Sequence, residues 1–494
     1  MIRVGRVVGA AAVALLLTVG GVAPAYAALD TDGREAALWY ADRMKFDDIR
    51  DKGLTGEGVT IAVIDDAINT DVAELKGADI EVRGQFCRDA VSGDELPATT
   101  DDPSRFHGTN VTSMLVGTGV AADGGAGARG IVPDASVKFY AAADPASDAS
   151  KDCAAYNPVT GEFAADRKPD VSDGEYDVVD DAILSSPTAV AADQALADGV
   201  DIINVSSLAS VWDNSSWSPV AVKALRAGVP IVAGTLNPDA TTQDILNLLP
   251  AGLNGSVAVG GVDNDGKPIR GVDPTTGIEQ ESRGISNLGF AGPAFQMLVP
   301  AAEGAWEPGL GSGTSLATPL VAGTIALGLE KYPEASAFQV LQAMVRTTGA
   351  GEQHEPEWGG VLYGYGIVNP MSMLAVDPTQ FPDENPLFVA SSDDPRCGSG
   401  AAGATPNDDD PLANCAWAAG PSAEMVGSGP EPGTETTADD AATDGQSALM
   451  PILIVGGVLL LGVVAAAIIV PIVVVRSRKN LSYRNTQQHE EYVS

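Results

Sequence analysis

Short β-branched apolar runs recur through the middle of this chain at 59–64 (Val-Thr-Ile-Ala-Val-Ile), 136–141, 201–206 (Asp-Ile-Ile-Asn-Val-Ser), 229–233 and 255–262. Near-continuous apolar runs of this length are the pattern of strands buried on both faces, as parallel sheets require. Parallel neighbours need crossovers, and helix-length segments stand between the runs at 106–117, 178–197 and 219–227. The implied fold is a doubly wound α/β domain: a mainly parallel sheet with helices on both faces. Such sheets present functional groups at the carboxyl ends of their strands, and the first run ends in two carboxylates, Asp65 and Asp66.

A second informative stretch is Gly313-Thr314-Ser315-Leu316-Ala317-Thr318-Pro319, followed by the apolar run 320–329. A serine among small residues at the mouth of a helix exposes its hydroxyl and sets its own N–H beside a developing oxyanion. Proline is tolerated in a first turn, so the spacing predicts a helix from near Ser315 to Lys331, with a further helix over 335–347. Taken alone, the stretch reads more readily as a Ser/Thr cap.

A serine hydroxyl needs a base, and imidazole has the pKa for that task. The chain has three histidines. His107 opens the predicted helix 106–117, whereas His354 stands in the polar segment 351–355, expected to be an exposed loop, and His489 lies near the C-terminus. Asp65 supplies the acceptor that would hold the imidazole's tautomer. The order Asp65, His107, Ser315 is one of the few chain orders known for a serine triad.

Val63-Ile64-Asp65, His107-Gly108-Thr109-x-Val111 and Gly313-Thr314-Ser315-x-Ala317-Thr318-Pro319 together resemble the three signatures of the subtilisin-like serine peptidases, over about residues 53–370. The resemblance implies an Asp65–His107–Ser315 triad and an oxyanion hole made by the Ser315 N–H and the Asn237 side chain. It also implies that Ser206, Ser207, Ala233 and Gly234 flank a bound substrate backbone as added strands. From local sequence, Asn237 before Pro238 reads equally well as a turn residue. Calcium is possible by the same resemblance, with no site identified and no other metal expected. This chain departs from the family pattern in Asp66-Ala67 where Thr or Ser and then Gly are usual. It departs again in Thr235-Leu236 for Ala-Gly and in Leu320 for His or Tyr. Asp66 is expected to raise the base's pKa or perturb the turn. Otherwise activity should fall as pH drops through roughly 6.5, where a histidine base protonates.

The ends of the chain address it. Residues 1–27 read as a secretory signal, with Arg3 and Arg6 before an apolar run and Ala25-Tyr26-Ala27 as the cleavage site. Residues 450–475 carry no charge and are long enough to span a bilayer. Arg476, Arg478, Lys479 and Arg484 follow, which puts the tail 476–494 in the cytoplasm and the rest outside. The expected parts between these are an N-terminal extension at 28–52, a peptidase domain at 53–376 and a flexible acidic Ala/Gly/Pro stalk at 377–449. A long surface insertion is expected at 142–176.

Cys87, Cys153, Cys397 and Cys415 suit an oxidising exterior; of the three possible pairings, Cys87–Cys153 with Cys397–Cys415 is the one expected. A net charge of −38 argues against nucleic-acid partners. The layout, with under 40 residues between the signal and the first strand's Asp, resembles the mycosins, membrane-anchored subtilisin-like peptidases of type VII secretion systems. It implies protein or peptide substrates, a place in a secretion membrane complex and a cell-membrane location with the catalytic domain outside. The alternatives are a scaffold subunit whose fold matters more than its turnover, and a general surface protease.

Overall fold

All five apolar runs become strands of one sheet, in a computed structural model of the chain. The structure describes residues 29–390 apart from 90–91, 143–152, 165–178, 180–181, 183, 208–213, 240–248, 273–276, 278, 283, 303 and 350, and also describes 394, 396 and 420–427. The sheet strands are β1 (Thr60–Asp65), β2 (Ile80–Gln85), β3 (Ser136–Ala141), β4 (Ile202–Val205), β5 (Ile231–Gly234), β6 (Val257–Val262) and β7 (Leu288–Pro293). The seven lie side by side in the order β7-β6-β5-β4-β1-β3-β2, and every pairing is parallel. The two strands without a β-branched run, β2 and β7, are the edges. β2 (Ile-Glu-Val-Arg-Gly-Gln) is half exposed, and β7 carries two glycines and a proline. Edge strands tolerate charge and proline because one side of their backbone needs no ladder.

The helices are α1 (Thr31–Ala37), α2 (Trp39–Arg43), α3 (Phe46–Arg50), α4 (His107–Val116), α5 (Pro187–Ala197), α6 (Asn214–Ala227), α7 (Thr314–Lys331), α8 (Ala337–Met344) and α9 (Pro370–Leu374). Successive side chains of a strand point to opposite faces, and β1 divides its residues accordingly. Ile61 and Val63 join a core with residues of α4 and α7, while Ala62 and Ile64 join a second core with residues of α5 and α6. Helix α7 is buried along most of its length. Its close packing depends on Gly323, where a Cβ would stand 2.2 Å from Ile131 Cγ2.

Several boundaries differ from expectation. The helix expected over 178–197 begins at Pro187, because proline fits a first helical position but not an interior one. Helix α6 begins at Asn214, ahead of the expected Pro219. The extension 28–52 is three short helices docked on the domain: the Tyr40 hydroxyl bonds both N and O of Arg129 at 2.9 and 3.0 Å, and Trp39 Nε1 donates to Phe295 O at 3.0 Å. Within the insertion, strands Cys153–Asn157 and Glu162–Phe163 form a small antiparallel sheet with Cys87–Asp89.

The domain also runs past 376. Leu387 and Val389 are buried, and Asn254 exchanges hydrogen bonds of 2.8 and 2.9 Å with the Val389 backbone. The short helix Ala423–Gly427 follows, and Arg226 donates to Met425 O and Val426 O. The described part of 377–449 is therefore packed rather than a free stalk, held by buried Leu387 and Val389 and by hydrogen bonds from Asn254 and Arg226. Segments 1–27 and 450–494 lie outside the described residues. Among the described residues no helix is long and apolar enough to cross a membrane.

Candidate active site

Asp65 closes β1 and is 1 % exposed. His107 is the first residue of α4, which packs beside β1, and its Nδ1 lies 2.7 Å from Asp65 Oδ1. The imidazole side chain remains 39 % exposed. Burial alone would hold His107 below the usual imidazole value. The Asp65 carboxylate, by charge and hydrogen bond, with Asp66 behind it, carries the ring up to about 9.

Asp66 points back to the same helix. Its Oδ1 accepts from Gly108 N at 3.0 Å and from Ala67 N. Desolvation, then the charge of Asp65, pushes the Asp66 carboxyl up to about 6 against the pull of His107 and those N–H groups. The fit is close: a Cβ on Gly108 would stand 2.4 Å from Ala67 O and 3.1 Å from Asp66 Oδ1.

Ser315 is the second residue of α7. First-turn N–H groups have no intrahelical acceptor, so the Ser315 N–H is available to an anion. Gly234 at the end of β5 lets the helix mouth approach the sheet, since a Cβ there would lie 3.0 Å from Thr318 Oγ1 and 3.6 Å from Ser315 N. Asn237, three residues on, accepts from Thr314 N at 2.9 Å and from the Thr314 hydroxyl at 3.3 Å, both through Oδ1. Thr314 Oγ1 also donates to Thr235 O at 2.6 Å.

Pro319 has no N–H for the carbonyl of Ser315. That carbonyl accepts from Ser206 Oγ instead, at 3.0 Å, and Ser315 Oγ donates to Ser206 O at 3.1 Å. Asn204 Nδ2 donates to Ser206 Oγ at 3.2 Å.

The expected residues therefore gather in two groups: Asp65 with His107, and Ser315 with Ser206, Gly234 and Asn237. Among the described residues no hydrogen bond joins Ser315 to His107. Ser207 carries a buried hydroxyl without a partner there, and Ala233 lies in β5. His354 is exposed and bonds Thr348 and the Glu355 backbone, as its loop position implied. Sequence reasoning did not single out Thr314, whose bonds to Thr235 and Asn237 tie the helix mouth to the strand, because a threonine before a serine carries no local signal of that role. Cys87 and Cys153 are joined, with Cα atoms 5.4 Å apart; Cys397 and Cys415 lie outside the described residues.

Among the described residues no group of three or more His, Cys, Asp or Glu side chains is arranged to hold a metal ion. The acidic residue Asp123 takes the Arg34 guanidinium at 2.8 and 2.9 Å, and the same cation acts on buried Glu74.

The parallel sheet thus carries an aspartate–histidine pair at the end of one strand and a serine at the mouth of a buried helix. Residues 56–367 match the subtilase family model, and the chain belongs to that family of subtilisin-like serine peptidases. Subtilisin DY of Bacillus licheniformis is 26% identical over 331 residues, 66% of this chain and 94% of that protein. Mycosin-5 of Mycobacterium tuberculosis is 30% identical over 151 residues, 27% of this chain and 23% of that protein. Among solved structures, MycP1 with its N-terminal propeptide removed is 18% identical with a TM-score of 0.46, covering 70% of this chain and 99% of that one.

Proposed function

We propose that this chain is a membrane-anchored serine endopeptidase that cleaves exported proteins outside the cell membrane, in the manner of a mycosin. The observation that carries the reading is the 2.7 Å bond from His107 Nδ1 to Asp65 Oδ1, which leaves Nε2 for the nucleophile. In the proposed reaction the Ser315 hydroxyl turns about χ1 from Ser206 O to Nε2. As the Oγ–C bond forms at the substrate carbonyl, the proton passes to Nε2, and Asp65 stabilises the imidazolium. The carbonyl electrons move onto an oxyanion held by the Ser315 N–H and Asn237 Nδ2, whose Oδ1 is already engaged by Thr314. His107 then returns the proton to the leaving amine as the C–N bond breaks, and water releases the acyl group by the same path.

The flanks at Ser206-Ser207 and Ala233-Gly234 suit an extended substrate backbone. The signal 1–27, the apolar segment 450–475 and its basic tail support an extracytoplasmic site. The similarity to mycosin-5 and the layout support a type VII secretion role. Ser315→Ala should abolish labelling by a fluorophosphonate probe, and persistent labelling would falsify the assignment of the nucleophile.

A scaffold role is the second reading. It is favoured by Ser315 Oγ being bonded to Ser206 O rather than to His107. Complementation of a deletion strain separates the two: rescue of secretion by Ser315→Ala supports the scaffold, and failure supports the protease.

A further inference from the structure

Two carboxylates rather than one meet His107, and they meet different atoms of its turn. Asp65 holds the ring through Nδ1. Asp66 holds the backbone: its Oδ1 accepts the N–H of Gly108, the second residue of α4. The residue before the helix, Phe106, makes no side-chain cap bond. Asp66 therefore supplies from β1 the acceptor that a local Ser, Thr or Asp would otherwise supply to the open first turn.

The charge matters as well as the bond. Asp66 is adjacent to Asp65, whose Oδ2 is buried without a hydrogen bond among the described residues. Two neighbouring anions with little water between them both favour a protonated imidazole. Among the described residues no other ionised group is placed to do the same. Of the elements packed on α4, helix α7 carries Glu330, which accepts from Thr55 N and Gly56 N, and Lys331, which donates to Leu374 O. Strand Ala126–Arg129 carries Arg129, paired with Asp47, and the turn Ala73–Leu75 carries Glu74, under the influence of Arg34 and Asp123. Arg105, two residues before the histidine, donates to Pro97 O.

We infer that Asp66 is a positioning residue for His107: its Oδ1 fixes the first turn of α4, and its negative charge favours the protonated ring. This rests on His107 being the base of the proposed triad only for its effect on catalysis; the effect on the ring itself does not depend on that reading. A base tuned in this way would be idle in acidic surroundings and come into use as the medium turns alkaline.

The test uses the full chain with its histidines labelled at 13Cε1, so that the ring of His107 is titrated by NMR, with His107→Gln to assign its signal. Asp66→Asn keeps an acceptor for Gly108 N and removes the charge. The His107 midpoint should fall by roughly 0.5–1 pH unit in Asp66→Asn, the size expected for losing one partly screened neighbouring charge. Asp66→Ala should lower the midpoint equally and also melt below Asp66→Asn, since it loses the cap. Fluorophosphonate labelling of wild type and Asp66→Asn across pH is run alongside. An unmoved midpoint with normal wild-type labelling overturns the role of the charge and leaves the triad standing. A lowered midpoint with no wild-type labelling leaves the role of Asp66 standing and removes the peptidase reading. Equal melting of the two variants overturns the cap.

Discussion

The two halves of the site are held by different forces. At the end of β1, Asp65, Asp66 and His107 form a charged cluster with a 2.7 Å bond and a capped helix start. The mouth of α7 is held by neutral bonds: Asn237 and Thr235 to Thr314, and Ser206 to Ser315 in both directions. Charge-assisted bonds between partly buried groups are strong and slow to exchange partners, whereas a hydroxyl on a carbonyl can turn away at a cost of about 1 kcal/mol. In the proposed mechanism the base is thus fixed in place while the nucleophile is kept ready to move. That division suits a mechanism in which only the serine changes partner.

The comparison is broken most severely by removing the charge that orients the base. Asp65→Asn should lower kcat by about 10^4-fold, because the wrong ring tautomer faces the serine; steady-state hydrolysis of a peptide substrate reads it. On the nucleophile side, Asn237→Asp keeps the acceptor for Thr314 N and removes the oxyanion donor. A loss in kcat of roughly 10^2–10^3-fold is expected, with KM little changed; an unchanged kcat would mean the oxyanion is held elsewhere.

The pH profile tests the charged half directly. His107 is raised to about 9 by its carboxylates, and the base must be neutral to accept a proton. The acid limb of kcat/KM should therefore lie above the ordinary imidazole value of about 6.5 rather than at it. The sign for stability is opposite. A raised histidine contributes stability that is complete below the unfolded value near 6.5 and is lost as pH rises through about 9. Wild type should lose thermal stability relative to His107→Gln across that window, as differential scanning calorimetry would detect. The smallest effect belongs to Ser206→Ala. It removes the donor to the Ser315 carbonyl that Pro319 cannot supply, and should cost roughly 1–3 kcal/mol of stability, read as a lowered Tm, with a few-fold loss of kcat. A kcat loss larger than that for Asn237→Asp would make Ser206 part of the chemistry rather than a brace.

The strands that were legible were the buried ones. β1, β3, β4, β5 and β6 announce themselves as near-continuous apolar runs, because both of their faces are covered. β2 and β7 do not, because an edge strand is free to carry Glu, Arg, Gly and Pro. The start of α5 differs because helical periodicity reads as continuous through Pro187, where the ring ends any helix coming from before it. The domain continues past 376 for the opposite reason. The composition after it is poor in apolar residues, yet buried Leu387 and Val389, with hydrogen bonds from Gln342 to Glu384 O and from Asn385 to Gly255 O, dock the chain.

Taken by itself, the sequence determined the sheet's character, the order Asp65, His107, Ser315 and the presence of a second carboxylate at Asp66. These follow from residue type and spacing, which are local. Only the tertiary structure decided that Asp66 reaches across to Gly108 N rather than distorting its own turn. It also decided that Asn237 turns its Oδ1 to Thr314 and that the serine rests on Ser206. Each of those bonds joins residues 40 or more positions apart. The partner of a hydrogen-bonding group is chosen by which strand ends and helix mouths the packed sheet brings within 3 Å, and that distance is a property of the fold rather than of any stretch of the chain.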